Sequence, residues 1–232
     1  MFRNLSPGAI GISGGLEEVL KLAQQAGFEG VDLPIGEVVQ LAERHSATFV
    51  RSLYEQYGLR PGGWALPVHW NAPEEAYKRG LSELPSLARL ASEVGCNRTF
   101  TWVPSFSDER SYDENFEWHV RRFRPIAQIL NEHGCRLGLE FLGPKTLRNG
   151  HKYEFIHTLD EMLKLCDAIG TGNVGLLLDS WHWYTSHGTL DEIRKLRGDQ
   201  VVYVHVNDAP AGIPIDEQVD NVRCLPGETG VI

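Results

Sequence analysis

The chain has 232 residues, of which 42% are hydrophobic and 23% are charged, so its composition is that of an ordinary globular protein with a sizeable core. Its net charge of −9 argues against non-specific binding to nucleic acid or to an anionic membrane, because both need clustered positive charge. No apolar run approaches the ~20 residues that a membrane-spanning helix needs, and the start of the chain lacks the pattern of a secretory signal. The sequence therefore predicts a soluble, cytoplasmic protein.

The four cysteines form no C-x-x-C pair, and in a chain of this length they do not resemble a disulfide framework. We expect Cys96, Cys135, Cys166 and Cys224 to be free thiols that pack as small apolar residues.

Short apolar runs alternate along the chain with longer amphipathic stretches, which predicts alternating strands and helices. Several predicted helices end at a glycine that precedes the next strand, as in AGFEG, QYGLR, VGCNR and HGCRL. In chain order the predicted elements are strand Ala9–Ile12, helix Gly15–Ala26, strand Gly30–Pro34, helix Val38–Tyr57, strand Gly62–Val68, helix Glu74–Val94, strand Arg98–Val103, helix Asn115–Glu132, strand Arg136–Leu142, helix Leu159–Ile169, strand Val174–Leu178, helix Leu190–Leu196 and strand Val201–Val206.

This alternation predicts a parallel sheet covered by helices, which is either a closed eight-stranded barrel or an open doubly wound sheet. No glycine-rich nucleotide-binding motif follows a strand, so the α/β (β/α)8 TIM barrel is favoured. We expect residues 1–232 to form a single barrel domain from which the last βα unit is missing at the C-terminal end.

Polar residues at the ends of three successive predicted strands point to a metal site. Glu140 lies in LGLEFLG, Asp179 ends LLLD, and His205 lies in YVHVND. In a barrel, functional side chains project from the carboxyl ends of the strands, so these three should converge. Two carboxylates and an imidazole suit Mn²⁺, Mg²⁺, Co²⁺ or Zn²⁺. A structural ion pair is the alternative explanation for each carboxylate.

Four further residues are candidates for binding substrate at the same barrel mouth. His182 follows Asp179 in D-x-x-H, and the alternatives are a metal ligand or a loop cap. His69 follows the third strand and could equally be a surface histidine. Trp102 could form part of an aromatic wall for a sugar ring, or simply pack in the core. Arg223 precedes a Pro-Gly-x-x-Gly turn and is either a clamp on a substrate oxygen or a surface charge.

The segments LEFLG, GLLLDSWHWY, YVHVND and RCLPGETG together resemble the xylose isomerase-like barrel superfamily, and most of all its inosose (2-keto-myo-inositol) isomerase-like sugar phosphate isomerases and epimerases. The resemblance is specific over Arg136–Ile232, whereas the first half of the chain shares only the βα rhythm. It implies a Glu–Asp–His–Glu metal site, in which Glu140, Asp179 and His205 match the first three ligands. His182 and Arg223 match the substrate-contacting positions.

The function that the resemblance implies is metal-dependent isomerisation or epimerisation of a small keto- or aldo-sugar or an inosose. A metal-stabilised enediolate is the expected intermediate, and Glu140 is one acid–base group. The alternatives are a lyase or dehydratase on the same scaffold, an abasic-site DNA endonuclease, and a barrel that binds sugar without turnover. The expected partner is a small sugar or cyclitol, with no nucleic acid or membrane.

The fourth ligand, a glutamate at the end of an eighth strand, is expected beyond Ile232, and Glu228 does not match it. Without that unit the barrel would have an open edge. We therefore expect residues 1–232 alone to be poorly soluble or to form a homo-oligomer, and to isomerise substrate weakly or not at all.

Overall fold

The computed structural model describes residues 1–232, which form two compact units. Unit 1 comprises residues 1–99 and 128–135, and unit 2 comprises residues 100–127 and 136–232. That the whole chain is one domain stays a prediction.

Unit 1 consists mostly of helices, with four strands of two residues each. Its elements in chain order are β1 (Asn4–Leu5), α1 (Leu16–Gln25), β2 (Gly30–Val31), α2 (Ile35–Arg44), α3 (Ala47–Gln56), β3 (Arg60–Pro61), β4 (Trp64–Ala65) and α4 (Glu74–Val94). The first three strands form a parallel sheet in the order β1-β2-β3.

Unit 2 contains the longer strands. Its elements are β5 (Arg98–Val103), β6 (Phe106–Ser107), α5 (Tyr112–Glu132), β7 (Arg136–Phe141), β8 (Tyr153–Glu154), α6 (Leu159–Ile169), β9 (Val174–Asp179), α7 (Ser180–Thr185), α8 (Leu190–Lys195) and β10 (Val201–His205). The first two residues of β5 and the last five of α5 belong to unit 1.

The predicted strand at Ala9–Ile12 is wrong. Residues Pro7–Ile10 form a 3-10 helix, and Gly11 ends it in the left-handed conformation with φ 72°. Proline suits the first turn of a helix because its fixed φ fits there and its missing N–H is not needed. The first strand is instead Asn4–Leu5, which pairs with β2.

The single predicted helix Val38–Tyr57 is two helices. The chain leaves helical geometry at His45 and restarts at Ser46, whose hydroxyl accepts a hydrogen bond from the Phe49 backbone N–H at 3.1 Å. Serine is among the preferred residues at a helix N-terminus because its side chain satisfies such a free backbone donor. The predicted strands at Gly30–Pro34 and Gly62–Val68 shrink to two residues each.

The sheet of unit 2 fixes where its side chains lie. Its parallel strands follow the order β10-β9-β7-β5, so β9 is flanked by β7 and β10. Their residues pair as Leu137↔Val174, Gly138↔Gly175 and Leu139↔Leu176 on one side, and Val201↔Leu176, Tyr203↔Leu177, Val204↔Leu178 and His205↔Asp179 on the other. The carboxyl ends of β9 and β10 therefore meet in register.

Apolar residues on both faces of these strands explain why the sequence predicted them well. The consecutive residues Leu176 and Leu177 of β9, whose side chains lie on opposite faces, are both buried, as expected for parallel strands covered on both sides. Met162 and Leu165 on α6 are buried as well. Among the strands and α-helices of unit 2, the sequence did not predict the antiparallel strands β6 and β8 or the six-residue helix α7.

None of the eight helices has the length and apolar character needed to cross a bilayer. All four cysteines are free thiols, and Cys96, Cys135 and Cys166 are buried. Burial raises the pKa of Cys96 to about 12 and that of Cys135 to about 11, so these thiols pack as small apolar side chains.

The paired glycines of β7 and β9 give a test of the packing in unit 2. A Cβ on Gly175 would lie 2.6 Å from the backbone oxygen of Gln200, whereas a Cβ on Gly138 would meet nothing closer than 3.3 Å. We expect Gly175→Ala to lower the free energy of unfolding by about 1–3 kcal/mol, because backbone must shift. Gly138→Ala is the matched control and should cost clearly less. Urea denaturation of both variants measures this, and equal losses would contradict the close approach.

Candidate metal centre

Three side chains with metal-ligating atoms meet at the carboxyl end of the unit 2 sheet. Glu140 lies on β7, Asp179 ends β9, and His205 ends β10 directly opposite Asp179 in the register. Their ligand atoms all lie within 4.8 Å of one another. The strand order thus brings together the three residues that the sequence singled out.

The chemistry and spacing of this cluster fit a divalent ion. His205 Nδ1 lies 3.3 Å from Glu140 Oε1 and 3.6 Å from Asp179 Oδ2. The side chain of Asp179 is fully buried, and that of Glu140 is 13% exposed. Two carboxylate groups and one imidazole are ligands that Mn²⁺, Zn²⁺ and related ions accept. Two nearly buried acidic groups also need positive charge close by, which an ion would supply.

Asp179 is held by hydrogen bonds to both of its carboxylate oxygens. Oδ1 accepts from the backbone N–H groups of Trp181 at 2.8 Å and His182 at 3.2 Å, so the residue is the N-cap of α7. Oδ2 accepts from Asn207 Nδ2 at 3.1 Å and from Arg223 Nη1 at 2.8 Å. Burial by itself would raise the pKa of Asp179, but the neighbouring histidines and Arg223 hold it well below its usual range. The carboxylate is therefore charged.

His205 is oriented by aromatic rings on one side and by carboxylates on the other. Phe100 and Tyr203 meet its ring edge-on, with centroids 5.7 and 5.5 Å away. Burial lowers its pKa, but Asp179 and Glu140 outweigh burial and raise the pKa to about 9. The same two carboxylates thus favour positive charge at this point, whether it is a proton on the ring or a metal ion beside it.

His182 lies on α7 and is buried. Its Nδ1 is 3.3 Å from the backbone nitrogen of Gly143, and its Nε2 is 3.0 Å from Arg223 Nη2. Burial lowers its pKa, although the charges of Glu140 and Asp179 act in the opposite direction. A neutral imidazole has one acceptor nitrogen, so the ring can satisfy only one of these two donors.

Arg223 links the cluster to the C-terminal segment. Its guanidinium donates to Asp179 Oδ2 and to Asp220 Oδ1, both at 2.8 Å, and lies 4.6 Å from the centroid of the Trp181 ring. Its Nε is buried without a hydrogen-bond partner. Arg223 therefore contacts a candidate ligand, a candidate substrate-binding histidine and an aromatic face, and it is not a surface charge.

The segment of residues 209–223 that leads to Arg223 is attached midway along its length. Asp216 pairs with Lys145 at 2.9 Å and with His187 at 2.8 Å, and all three side chains are largely exposed. Thr146 Oγ1 donates to the backbone oxygen of Gln218 at 2.8 Å, and Gln218 is buried.

The other two predicted site residues are not part of the cluster as described. Trp102 lies on β5 in unit 2 and is 45% exposed, so its ring is accessible. His69 is an exposed residue of unit 1, between β4 and α4. Substrate contact by Trp102 and His69 stays a prediction.

Sequence reasoning missed three polar residues around the cluster. They are Asn207, which holds Asp179, Asp220, which holds Arg223, and Asp208, which follows Asn207 and is fully buried. Two sequence features could have indicated these residues. One is the motif H-V-N-D at residues 205–208, which has three polar side chains at the end of an apolar strand. The other is the D-x-x-R spacing of Asp220 and Arg223.

The chain is similar to known proteins over most of its length. The family model described as xylose isomerase-like TIM barrel matches residues 20–231. The inosose isomerase of Bacillus velezensis is 20% identical over 219 residues, which cover 93% of this chain and 75% of that protein. The 3-dehydroshikimate dehydratase of Pseudomonas putida is 23% identical over 226 residues, which cover 94% of this chain and 33% of that protein.

Solved structures lead to the same fold. A xylose isomerase domain protein from Alicyclobacillus acidocaldarius superimposes with a TM-score of 0.88 at 33% identity, covering 98% of this chain and 80% of that one. The IolI protein, whose structure was described with a bound zinc atom, superimposes with a TM-score of 0.78 at 17% identity over the same shares of the two chains. The predicted TIM barrel fold class is therefore confirmed, and the chain belongs to the xylose isomerase-like TIM barrel family.

Proposed function

We propose that the protein is a divalent-metal-dependent isomerase or epimerase that moves a proton next to the carbonyl of an uncharged sugar or cyclitol ketone. The observation that carries this proposal is the convergence of Glu140, Asp179 and His205 at one sheet edge, with His182 and Arg223 beside them. The inosose isomerase relatives support the reaction class, and the zinc atom bound in the IolI structure supports metal dependence.

The three clustered residues would hold the metal ion, and the ion when bound would supply polarisation of adjacent carbonyl and hydroxyl oxygens. Asp179 is the fixed ligand, because four N–H donors hold its two oxygens. Mn²⁺, Mg²⁺, Co²⁺ and Zn²⁺ all accept this donor set.

Glu140 is the carboxylate best suited to carry the moving proton. It accepts a single hydrogen bond, from His205 at 3.3 Å, and it is less buried than Asp179. A lone pair of Glu140 is therefore available to remove a proton from a substrate carbon and to return it. His182 is neutral and would form a hydrogen bond with a substrate hydroxyl. Arg223 would donate a hydrogen bond to another substrate oxygen.

The charge balance of unit 2 favours an uncharged substrate. Arg223 is already paired with Asp179 and Asp220. Of the three cations between β7 and β8, Lys145 pairs with Asp216 and Arg148 with Glu154, whereas Lys152 lies over the Tyr153 ring. A carboxylate or phosphate bound by Arg223, Lys145 or Arg148 would have to compete with the acidic partner of that side chain. This observation favours a neutral polyhydroxy ketone over 3-dehydroshikimate, which carries a carboxylate, although dehydratases are among the relatives.

The proposed reaction is tested with 2-keto-myo-inositol in deuterated water and saturating Mn²⁺. Proton transfer next to the carbonyl should introduce deuterium at that carbon, which NMR detects even where the product equilibrium is unfavourable. Glu140→Gln should abolish the exchange. Loss of water from 3-dehydroshikimate, without exchange into the inosose, would instead establish the lyase alternative.

Removing a ligand should remove the metal. We expect His205→Ala and Glu140→Gln to weaken Mn²⁺ binding at least about 100-fold, because even partners outside the ligand set commonly contribute 10–100-fold. Isothermal titration with Mn²⁺ measures the change. His151→Ala is the matched control, since His151 also pairs with a carboxylate in unit 2, Asp108 at 2.9 Å, but away from the cluster. Unchanged affinity in His205→Ala would refute the site.

Removing a substrate-binding residue should leave the metal in place. His182→Ala and Arg223→Ala should keep stoichiometric Mn²⁺ but lose about 10²–10³-fold in kcat/KM, as when one hydrogen-bond donor to a reacting oxygen is deleted. His187→Ala, on the exposed turn after α7, serves as control and should turn over normally. Loss of metal in His182→Ala would move His182 into the set of ligands.

A further inference from the structure

Asp208 is a fully buried carboxylate that accepts hydrogen bonds from backbone N–H groups alone. It follows β10 by three residues. The N–H groups that donate to it belong to Ala209 at 2.9 Å, Thr229 at 2.9 Å, Gly230 at 2.7 Å, Val231 at 3.1 Å and Ile232 at 3.0 Å. Burial would raise its pKa, but these five bonds hold the pKa well below its usual range. The side chain is therefore a permanent negative charge surrounded by backbone dipoles.

Further bonds attach the same loop to the C-terminal segment. The backbones of Asp208 and Cys224 exchange two hydrogen bonds, of 3.0 and 2.9 Å. Thr229 Oγ1 also donates to the backbone oxygen of Ala209 at 2.7 Å. Residues 224 and 229–232 are thus both held against residues 208–209, at the end of the strand that carries His205.

Arg223 directly precedes Cys224, so this attachment determines where its side chain begins. The guanidinium must then reach Asp179 and Asp220, both at 2.8 Å, and His182 at 3.0 Å. Such short, directional bonds tolerate little displacement of the backbone. A shift at Cys224 would therefore move the guanidinium relative to the metal cluster.

We infer that Asp208 is a positioning residue for Arg223: its carboxylate fixes the C-terminal segment to the end of β10 and so holds the guanidinium between Asp179 and His182. Its part in turnover rests on the proposed function, whereas its effect on the placement of Arg223 does not. The side chain of Asp208 forms no hydrogen bond with the cluster, and it acts only through the segment that it binds.

The first test replaces the carboxylate by an amide of the same shape. Asp208→Asn puts an NH2 group among backbone N–H donors in place of one acceptor oxygen, so the attachment should loosen. Asp108→Asn is the matched control, because Asp108 also accepts a backbone N–H, from Lys152 at 2.9 Å, but does not touch the segment. Gly230→Ala perturbs the same attachment while keeping the carboxylate, since Gly230 has φ +70°, which alanine disfavours. Gly172→Ala, at φ +79° in a distant turn, is its control.

The placement of Arg223 is measured by NMR on the folded, metal-free protein. The arginine Nε–H signal that disappears in Arg223→Ala identifies this buried side chain. It should be shifted or broadened beyond detection in Asp208→Asn and Gly230→Ala, and unchanged in both controls. An unchanged signal in the folded Asp208→Asn protein would overturn the proposal. If Asp208→Asn does not fold, an unchanged signal in Gly230→Ala would overturn it equally.

Turnover gives the second measurement. Asp208→Asn should lower kcat/KM about 10–100-fold, in the range found for residues that orient functional groups without touching substrate. The double variant Asp208→Asn/Arg223→Ala should be no slower than Arg223→Ala alone, because both changes remove the same interaction. Additive losses would mean that Asp208 acts by another route and would overturn the proposal. A shifted NMR signal in a protein whose wild type shows no exchange would leave the positioning role standing and refute the proposed function.

Discussion

The site depends on the hydrogen bonds and ion pairs of one buried carboxylate, that of Asp179. One of its oxygens starts helix α7, and so sets the position of His182, while the other binds Asn207 and Arg223. The sheet register places His205 opposite it. Strand, helix and C-terminal segment therefore meet at one side chain. A buried charge is tolerable only when it is paired and hydrogen-bonded in this way.

This dependence explains why the candidate ligands differ as targets for mutagenesis. Replacing Asp179 would remove a candidate ligand, the N-cap of α7 and the partner of Arg223 together, so loss of metal could not be separated from local unfolding. Glu140 and His205 have fewer structural partners. Their substitution therefore reports more directly on metal binding.

The sequence predicted the fold and the cluster where local pattern and structure agree. Arg98–Val103, Glu74–Val94 and Leu159–Ile169 have the predicted bounds, because long runs with one clear periodicity leave little ambiguity. Strands β1 to β4, by contrast, are two residues long, too short to show any period. A proline-started 3-10 turn took the place of the predicted first strand.

The residues of the candidate site also differ in how far the sequence could predict them. Glu140, Asp179 and His205 could be predicted because a polar side chain at the end of an apolar strand needs an explanation. Three successive predicted strands each carried one. The role of Asp208 could not be predicted, because its partners are the backbone N–H groups of residues 209 and 229–232, which leave no mark on residue type. The role of Asp220 could not be predicted either, because it depends on a contact between Arg223 and Asp179. Asp179 lies 44 residues before Arg223 in the chain.

The segment of residues 209–223 is held by contacts of very different strength along its length. Its root at residues 208–209 is buried, whereas Asp216 is held by exposed partners, whose ion pairs are weak and screened by salt. Local opening should therefore start at the outer turn and stop before the root. The backbone amides near Asp216 should therefore be less protected from hydrogen exchange than those near Asp208, and should open as a separate unit. Ionic strength can thus change the dynamics of this rim while Arg223 and the cluster stay ordered.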